Sequence, residues 1–345
     1  MSQDARARKK TKKLIQIGIG CLFSGLMLYM VFKDLDIEAL KRNVSVMKWG
    51  PVVPFVGLFF LHYIVRSLRW RFLLPKPVGA PVSLRKLFDA LILGNLASFL
   101  LPLRLGEFVR PFVLSRWSDY RFAPSFASVV IERFFDLSAV LVSFAVIVPH
   151  LHDFPSWATA GAYSLGGLAG GLLLFLVCGA LWPDFLRMLV SRGVALLPRS
   201  FSQTFESFLF DLIDGVAVIR TPSRIVSILV LTATVWFSTF LQFYVMLELF
   251  PYHQSMLLAV TVAVFVALAI AIPSVPGFIG VFQGGCVAAT GLFGYPYEAA
   301  VVYSLVIHVL SYLLFIGLGF WLLAVHDLSL FELKRAVELD DAPGT

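Results

Sequence analysis

Apolar residues fall in long blocks along this chain, separated by short polar or basic stretches. Six blocks, near Leu14–Phe32, Pro51–Val65, Phe126–Val148, Trp157–Trp182, Ile225–Leu249 and Ala299–Val325, are predicted to be membrane-spanning helices. Crossing a hydrocarbon core takes ~17–25 consecutive, mostly apolar residues. Two more apolar stretches, Leu84–Leu114 and Met256–Phe293, are broken internally by Pro102-Leu-Arg-Leu-Gly106 and by Pro276-Gly-Phe-Ile-Gly280. Proline removes a backbone donor and clashes with the preceding turn. Glycine opens backbone angles that other residues avoid. Non-helical backbone at membrane depth must be buried in protein or line a wet cavity. The breaks at Pro102, Gly106, Pro276 and Gly280 therefore predict two re-entrant helical hairpins, over residues 84–117 and 256–294. The alternative is that Pro and Gly merely kink ordinary membrane helices.

The order of elements repeats. Helix, amphipathic piece, helix, broken stretch and helix occupy residues 14–150, and the same order returns over residues 151–326. Three crossings per half give the halves opposite topology. The expected fold is an all-α polytopic integral membrane protein of about six spanning helices plus two re-entrant hairpins, arranged as an inverted-topology repeat. Residues 1–13 form a basic cytoplasmic tail and residues 327–345 a second cytoplasmic tail.

Composition agrees: 59% of residues are hydrophobic and 14% charged, against about 25% charged in a soluble domain. No polar stretch is long enough for a separate catalytic domain. The net charge of +7 points to membrane orientation rather than nucleic acid, because cytoplasmic loops collect Lys and Arg. Arg6, Arg8, Lys9, Lys10, Lys12 and Lys13 precede the first helix. With that end inside, Arg66, Arg69, Arg71, Lys76, Arg85 and Lys86 also fall inside, only Lys33, Lys41, Arg42 and Lys48 fall outside, and Arg104, Arg110 and Arg133 are left unassigned. Both termini are thus expected in the cytoplasm, and the first helix is read as an uncleaved anchor. Cys21, Cys178 and Cys286 are scattered through apolar segments, which predicts neither a disulfide nor a metal site. His150 and His152, with no third ligand nearby, read as a solvated loop. Phe201, Phe205, Phe208, Leu209, Leu212, Ile213 and Val216 recur at helical spacing and predict an amphipathic helix packed on the bundle.

Intramembrane charge is costly, and such residues are functional candidates by default. Arg104, Glu107 and Arg110 lie on the first broken stretch. Glu132, Arg133 and Asp136 lie near the middle of the helix that follows it, where Glu132 and Asp136, four apart, share a face and Arg133 points elsewhere. Three arginines against three acids could be structural ion pairs that pin the hairpin to its neighbour. Alternatively, Arg104, Arg110 or Arg133 binds an anionic head group, since guanidinium offers two parallel bonds to phosphate. The second half is poorer in charge: Gln283 lies in its broken stretch, and Ser304 and His308 follow, with His308 read first as a helix–helix hydrogen-bonding residue.

Leu101-Pro-Leu-Arg-Leu-Gly-Glu-Phe-Val-Arg110, Glu132-Arg-Phe-Phe-Asp136 and Pro273-Ser-Val-Pro-Gly-Phe-Ile-Gly-Val-Phe-Gln283 together resemble the transmembrane region of lysylphosphatidylglycerol synthases, the flippase-like part of MprF-type proteins. The resemblance runs from about Leu14 to Val325. It implies a bundle with hairpins and movement of phospholipid between leaflets. No soluble aminoacyl-transfer domain accompanies it in this sequence, so synthesis of lysyl-lipid is not expected. Gln283 and Ser304 stand where the family tends to carry Glu and Arg. Replacing both removes an opposite-charge pair without stranding either partner, and it weakens the case for a cationic or aminoacyl substrate.

The expectation is therefore a lipid transporter of the flippase type in the bacterial inner membrane, taking a phosphate-bearing lipid at Arg104, Glu107, Arg110, Glu132, Arg133, Asp136, Gln283 and His308, with no cofactor. A second copy or a lipid-modifying enzyme is a candidate partner. Two rivals stand beside it. One is a membrane-embedded transferase using Glu132 and Asp136 on a lipid-linked substrate, although the sequence holds no Gly-rich phosphate loop. The other is a non-transporting partner of a lipid-modifying enzyme.

Overall fold

The computed structural model describes residues 24–75, 80–101, 106–151, 156–194, 221–252, 254–272 and 274–329, with isolated positions at Gly18, Leu22, Glu206, Leu209, Phe210, Ile213 and Glu332. Among the described residues there is no strand. Twelve helices follow in order: α1 (residues 24–32), α2 (Ile37–Ser45), α3 (Val52–Leu73), α4 (Leu84–Leu100), α5 (Gly106–Trp117), α6 (Phe122–Ile147), α7 (Ser156–Leu181), α8 (Pro183–Val194), α9 (Pro222–Leu247), α10 (Met256–Ala271), α11 (Val281–Gly291) and α12 (Tyr297–Val325).

Local chemistry sets several of these boundaries. Asp36 caps α2, its Oδ1 accepting from the Glu38 amide at 2.8 Å and the Ala39 amide at 3.2 Å. Ser255 caps α10, its Oγ accepting from the Leu258 amide at 3.1 Å. Each cap satisfies amides that the first helical turn leaves without partners. Four helices are long and apolar enough to cross a membrane: α3, α7 over Thr159–Leu181, α9 and α12. Helix α6 is as long as α9, at 26 residues, but carries Glu132, Arg133 and Asp136 in its middle. The chain is an all-α, multi-pass membrane protein.

Two compact units divide the chain. The first takes Met1–Leu61, Leu91–Arg110 and Ser238–Thr345; the second takes His62–Ala90 and Pro111–Phe237. The divisions fall inside α3, α4, α5 and α9, so each unit draws on both halves of the sequence.

In the first unit, the second predicted break interrupts a helix, whereas the first falls on residues that, apart from Gly106, lie outside the described ones. Helix α4 ends at Leu100 and α5 begins at Gly106; Pro102 and Arg104 lie outside the described residues. The two helices pack against each other through glycine. A methyl group on Gly106 would run into the Gly94 carbonyl and sit 2.7 Å from the Ser98 amide nitrogen, and one on Gly94 would sit 2.9 Å from the Gly106 carbonyl. Helices α10 and α11 approach in the same way, where a Cβ on Gly285 would lie 3.0 Å from the Val266 Cα. Small residues permit such backbone contact between membrane helices. Around α10–α12 lies an apolar core that includes Phe55, Met246, Leu247, Phe250, Leu258, Val262, Cys286 and Tyr303.

Between α10 and α11 the chain leaves helical geometry. Gly277 (φ 76°), Phe278 (φ 61°) and Gly280 (φ 88°) all take positive φ, a conformation costing a non-glycine residue roughly 1–2 kcal/mol. Gly277 also has no room, since its added methyl would fall on the Tyr312 hydroxyl. Gly277→Ala is expected to destabilise the protein by about 1–3 kcal/mol, seen as a lower melting temperature in detergent. Gly291→Ala is the contrast: Gly291 is helical with nothing within 4 Å of an added Cβ, so its melting temperature should hold or rise. Equal melting temperatures for the two variants would contradict this geometry.

In the second unit, α6 and α7 pack closely enough that a Cβ on Gly166 would stand 2.5 Å from the Ala145 Cβ. Leu186, Val190 and Val194 of α8 form a small core with Ile213, flanked by Phe175, Cys178, Leu209 and Phe210. The apolar positions of the amphipathic segment that are described thus pack inward; Phe201, Phe205, Phe208, Leu212 and Val216 lie outside the described residues.

Candidate functional site

Within the second unit, α3 and α6 meet through charge. Arg66 and Arg69 lie three apart on α3, so they share a helix face. Glu132, Arg133 and Asp136 answer them from α6. Arg69 spans both acids, with Nη2 3.1 Å from Glu132 Oε1 and Nη1 2.6 Å from Asp136 Oδ1. Arg66 Nη2 reaches Glu132 Oε1 at 3.1 Å. Arg133 Nη2 sits 2.9 Å from the same Glu132 oxygen and 3.0 Å from Asp136 Oδ2.

Neutral contacts fix the frame around these charges. Arg69 Nη1 also donates to the Thr232 hydroxyl of α9 at 3.3 Å, so one guanidinium on α3 ties α6 and α9 to its own helix. Trp70 Nε1 donates to Ser128 Oγ at 2.9 Å, setting the register of α3 against α6. The Arg66 guanidinium lies 5.6 Å from the Tyr63 ring centroid, within cation–π range.

Exposure is graded across the group. The side chains of Arg69 and Glu132 are 0% exposed, Arg66 13% and Asp136 15%, whereas Arg133 is 38% exposed. These five groups carry three positive and two negative charges. Burying them is expensive unless each is paired, and stranding one partner is worse still. The innermost residues therefore work as a structural clamp, and Arg133 forms its open edge.

Two expectations are corrected here. The span does not end at Val65: α3 runs unbroken to Leu73, so Arg66 and Arg69 lie inside the helix, and both pair within the bundle. Nor does Arg133 point away from Glu132 and Asp136; it contacts both. The available signal was length. The block Pro51–Val65 covers about 22 Å at 1.5 Å per residue, short of a ~30 Å hydrocarbon core, so the helix had to continue through Arg66-Ser-Leu-Arg69.

The other candidates lie in the first unit or outside the described residues. Arg104 belongs to the latter. Arg110 is buried, its Cδ 3.1 Å from where a Cβ on Gly94 would lie, and Glu107 is half-buried in the first turn of α5. Gln283 and His308 are buried together at the second break. Gln283 Nε2 donates to His308 Nδ1 at 2.8 Å, and His308 Nε2 donates to the Gly277 carbonyl at 2.9 Å. Gln283 Oε1 accepts from the Gly280 amide at 2.8 Å, while the Ser24 hydroxyl accepts from the Val275 amide at 3.1 Å. These bonds supply partners for backbone groups that leave the helical ladder. The neutral Nε2–H tautomer of His308 satisfies both of its contacts. Ser304 turns back onto its own helix, donating to the Val301 carbonyl at 2.7 Å.

Residues 17–319 match the family described as the lysylphosphatidylglycerol synthase TM region. No curated protein matches the chain, and no solved structure does.

Proposed function

Since the chain belongs to the lysylphosphatidylglycerol synthase transmembrane-region family, a membrane family related to lipid modification, we propose that it carries phospholipid across the bilayer and holds the head-group phosphate at Arg133. The observation that carries this reading is the exposure gradient in the charge network. Arg133, at 38%, is the most exposed of five paired charges, beside a guanidinium and a carboxylate that are 0% exposed. Glu132 and Asp136 aim the arginines, Arg69 fixes the acids, and Arg133, with Arg66 beside it, meets the phosphate. Guanidinium suits this role because its planar donors match two phosphate oxygens at once.

The same reading extends to the breaks. Glu107, Arg110, Gln283 and His308, which belong to the first unit, are proposed as further polar contacts for a head group there, as is Arg104, which lies outside the described residues. The two halves are proposed to be inverted repeats with both termini cytoplasmic; what supports this is the helix–break–helix pattern at matching positions, together with the basic N-terminus. A transferase reading is weaker. Glu132 and Asp136 already neutralise arginines, so neither is poised to take a proton.

Removing a charged hydrogen-bond partner costs about 1.5–3 kcal/mol. Arg133→Gln is therefore expected to reduce retention of phosphatidylglycerol by the purified protein roughly ten- to hundredfold, read by native mass spectrometry. Retention at the wild-type level would contradict the assignment.

A further inference from the structure

An arginine-lined cavity lies within the second unit, using none of the residues of the charge network above. It measures about 380 Å³ and is lined by Arg71, Phe72, Thr221, Ser223, Arg224 and Ser227, a size in the ordinary range for ligand pockets. Two arginines and three hydroxyl-bearing residues line it, and none of these lining residues is a carboxylate.

The site is built rather than accidental. Arg224 Nη2 donates to the Leu74 carbonyl at 2.8 Å, which fixes that guanidinium before any ligand arrives. Arg71 is exposed on the last turn of α3. Tyr120, buried in the loop between α5 and α6, feels both: burial raises its phenol above the ordinary value, while Arg224 and Arg71 pull it down. The two arginines therefore act on one locality.

Depth indicates the source of the anion. Arg71 stands near the end of one candidate span, α3, and Arg224 near the start of another, α9. A cavity shared by the ends of two spans lies where the hydrocarbon core gives way to the head-group layer. Basic pockets at that level suit lipid head groups.

We propose that Arg71 and Arg224, with the hydroxyls of Thr221, Ser223 and Ser227, form a surface site for the phosphodiester of an anionic phospholipid. Its chemistry resembles that proposed for Arg133, but its residues and depth differ, and it stands whether or not Arg133 binds lipid. The Thr221 and Ser223 hydroxyls donate to the phosphate oxygens, and the two guanidinium groups neutralise its charge; the Ser227 hydroxyl, which donates to the Ser223 carbonyl at 2.9 Å, offers only its lone pairs.

The test uses the full chain in a zwitterionic detergent, with phosphatidylglycerol as the probe and native mass spectrometry as the readout. Arg71→Gln removes an exposed side chain and leaves the Arg224–Leu74 bond in place, so its melting temperature should stay at the wild-type value. Ser223→Asp places a like charge against the phosphate. Each variant is expected to lose one tightly held phosphatidylglycerol, with affinity for it falling on the order of tenfold. Inorganic phosphate at the same concentration should not displace that lipid. Wild-type retention by both folded variants would overturn the site, and displacement by inorganic phosphate would overturn its assignment to a lipid. Arg133→Gln, measured alongside, separates the two sites. Lipid loss there with full retention in Arg71→Gln would overturn this proposal and leave the Arg133 reading intact; the reverse result would support it.

Discussion

Arg69→Met is expected to destabilise the folded protein by about 3–5 kcal/mol, the largest effect of any single change considered. Arg69 is 0% exposed and lies 3.1 Å from Glu132 and 2.6 Å from Asp136. Methionine fills similar space but leaves Glu132, itself 0% exposed, with fewer positive partners in an apolar bundle. The main loss comes from that stranded carboxylate rather than from the missing attraction. Neutralising the acid as well should therefore recover stability: Arg69→Met with Glu132→Gln should melt higher than Arg69→Met alone. Thermal unfolding of the three proteins in one detergent checks this. A double variant no more stable than the single one would show that the clamp is not electrostatic.

Gly106→Val is expected to be nearly as severe, about 3 kcal/mol or slightly more, at the upper end of what overpacking does in a well-packed interior. The first atom of a side chain at Gly106 meets backbone: the Gly94 carbonyl and, at 2.7 Å, the Ser98 amide nitrogen. A flexible side chain could swing away, whereas two helices would have to part. The expected readouts are a low yield of folded protein and a melting temperature well below that of Gly57→Val, where an added Cβ meets nothing within 4 Å. Similar behaviour of the two valine variants would contradict the close pairing of α4 and α5.

Much of this was legible because membrane physics writes itself into composition. The apolar blocks Trp157–Trp182 and Ala299–Val325 became α7 and α12 with ends shifted by two residues or fewer, since length and hydropathy alone define a span. The second break was legible from Pro276 and Gly280, residues that a helix excludes. Its support was not. His308 reaches Gln283 and the Gly277 carbonyl from 25 and 31 positions away, and no periodicity links a helix to the backbone of another segment. The charge network was half legible. Glu132 and Asp136 declared themselves by spacing within an apolar helix. Arg66 and Arg69 did not, because a basic run after an apolar block also marks a cytoplasmic loop. Only the partner acids on α6 distinguish the two, and those partners are seen in three dimensions. The spacing argument likewise aimed Arg133 away from Glu132, because it follows Cβ directions; a long guanidinium side chain bends back past its own Cβ.

The central claim is that Arg133 meets the phosphate of a lipid in transit. Its most direct measurement is transbilayer movement of labelled phosphatidylglycerol in liposomes containing wild-type or Arg133→Gln protein, with the melting temperature of each sample taken in parallel. Arg133→Gln protein should stay folded, because Arg69 and Arg66 still hold Glu132, with lipid movement reduced roughly ten- to hundredfold. Folded Arg133→Gln protein that moves lipid at the wild-type rate would contradict it.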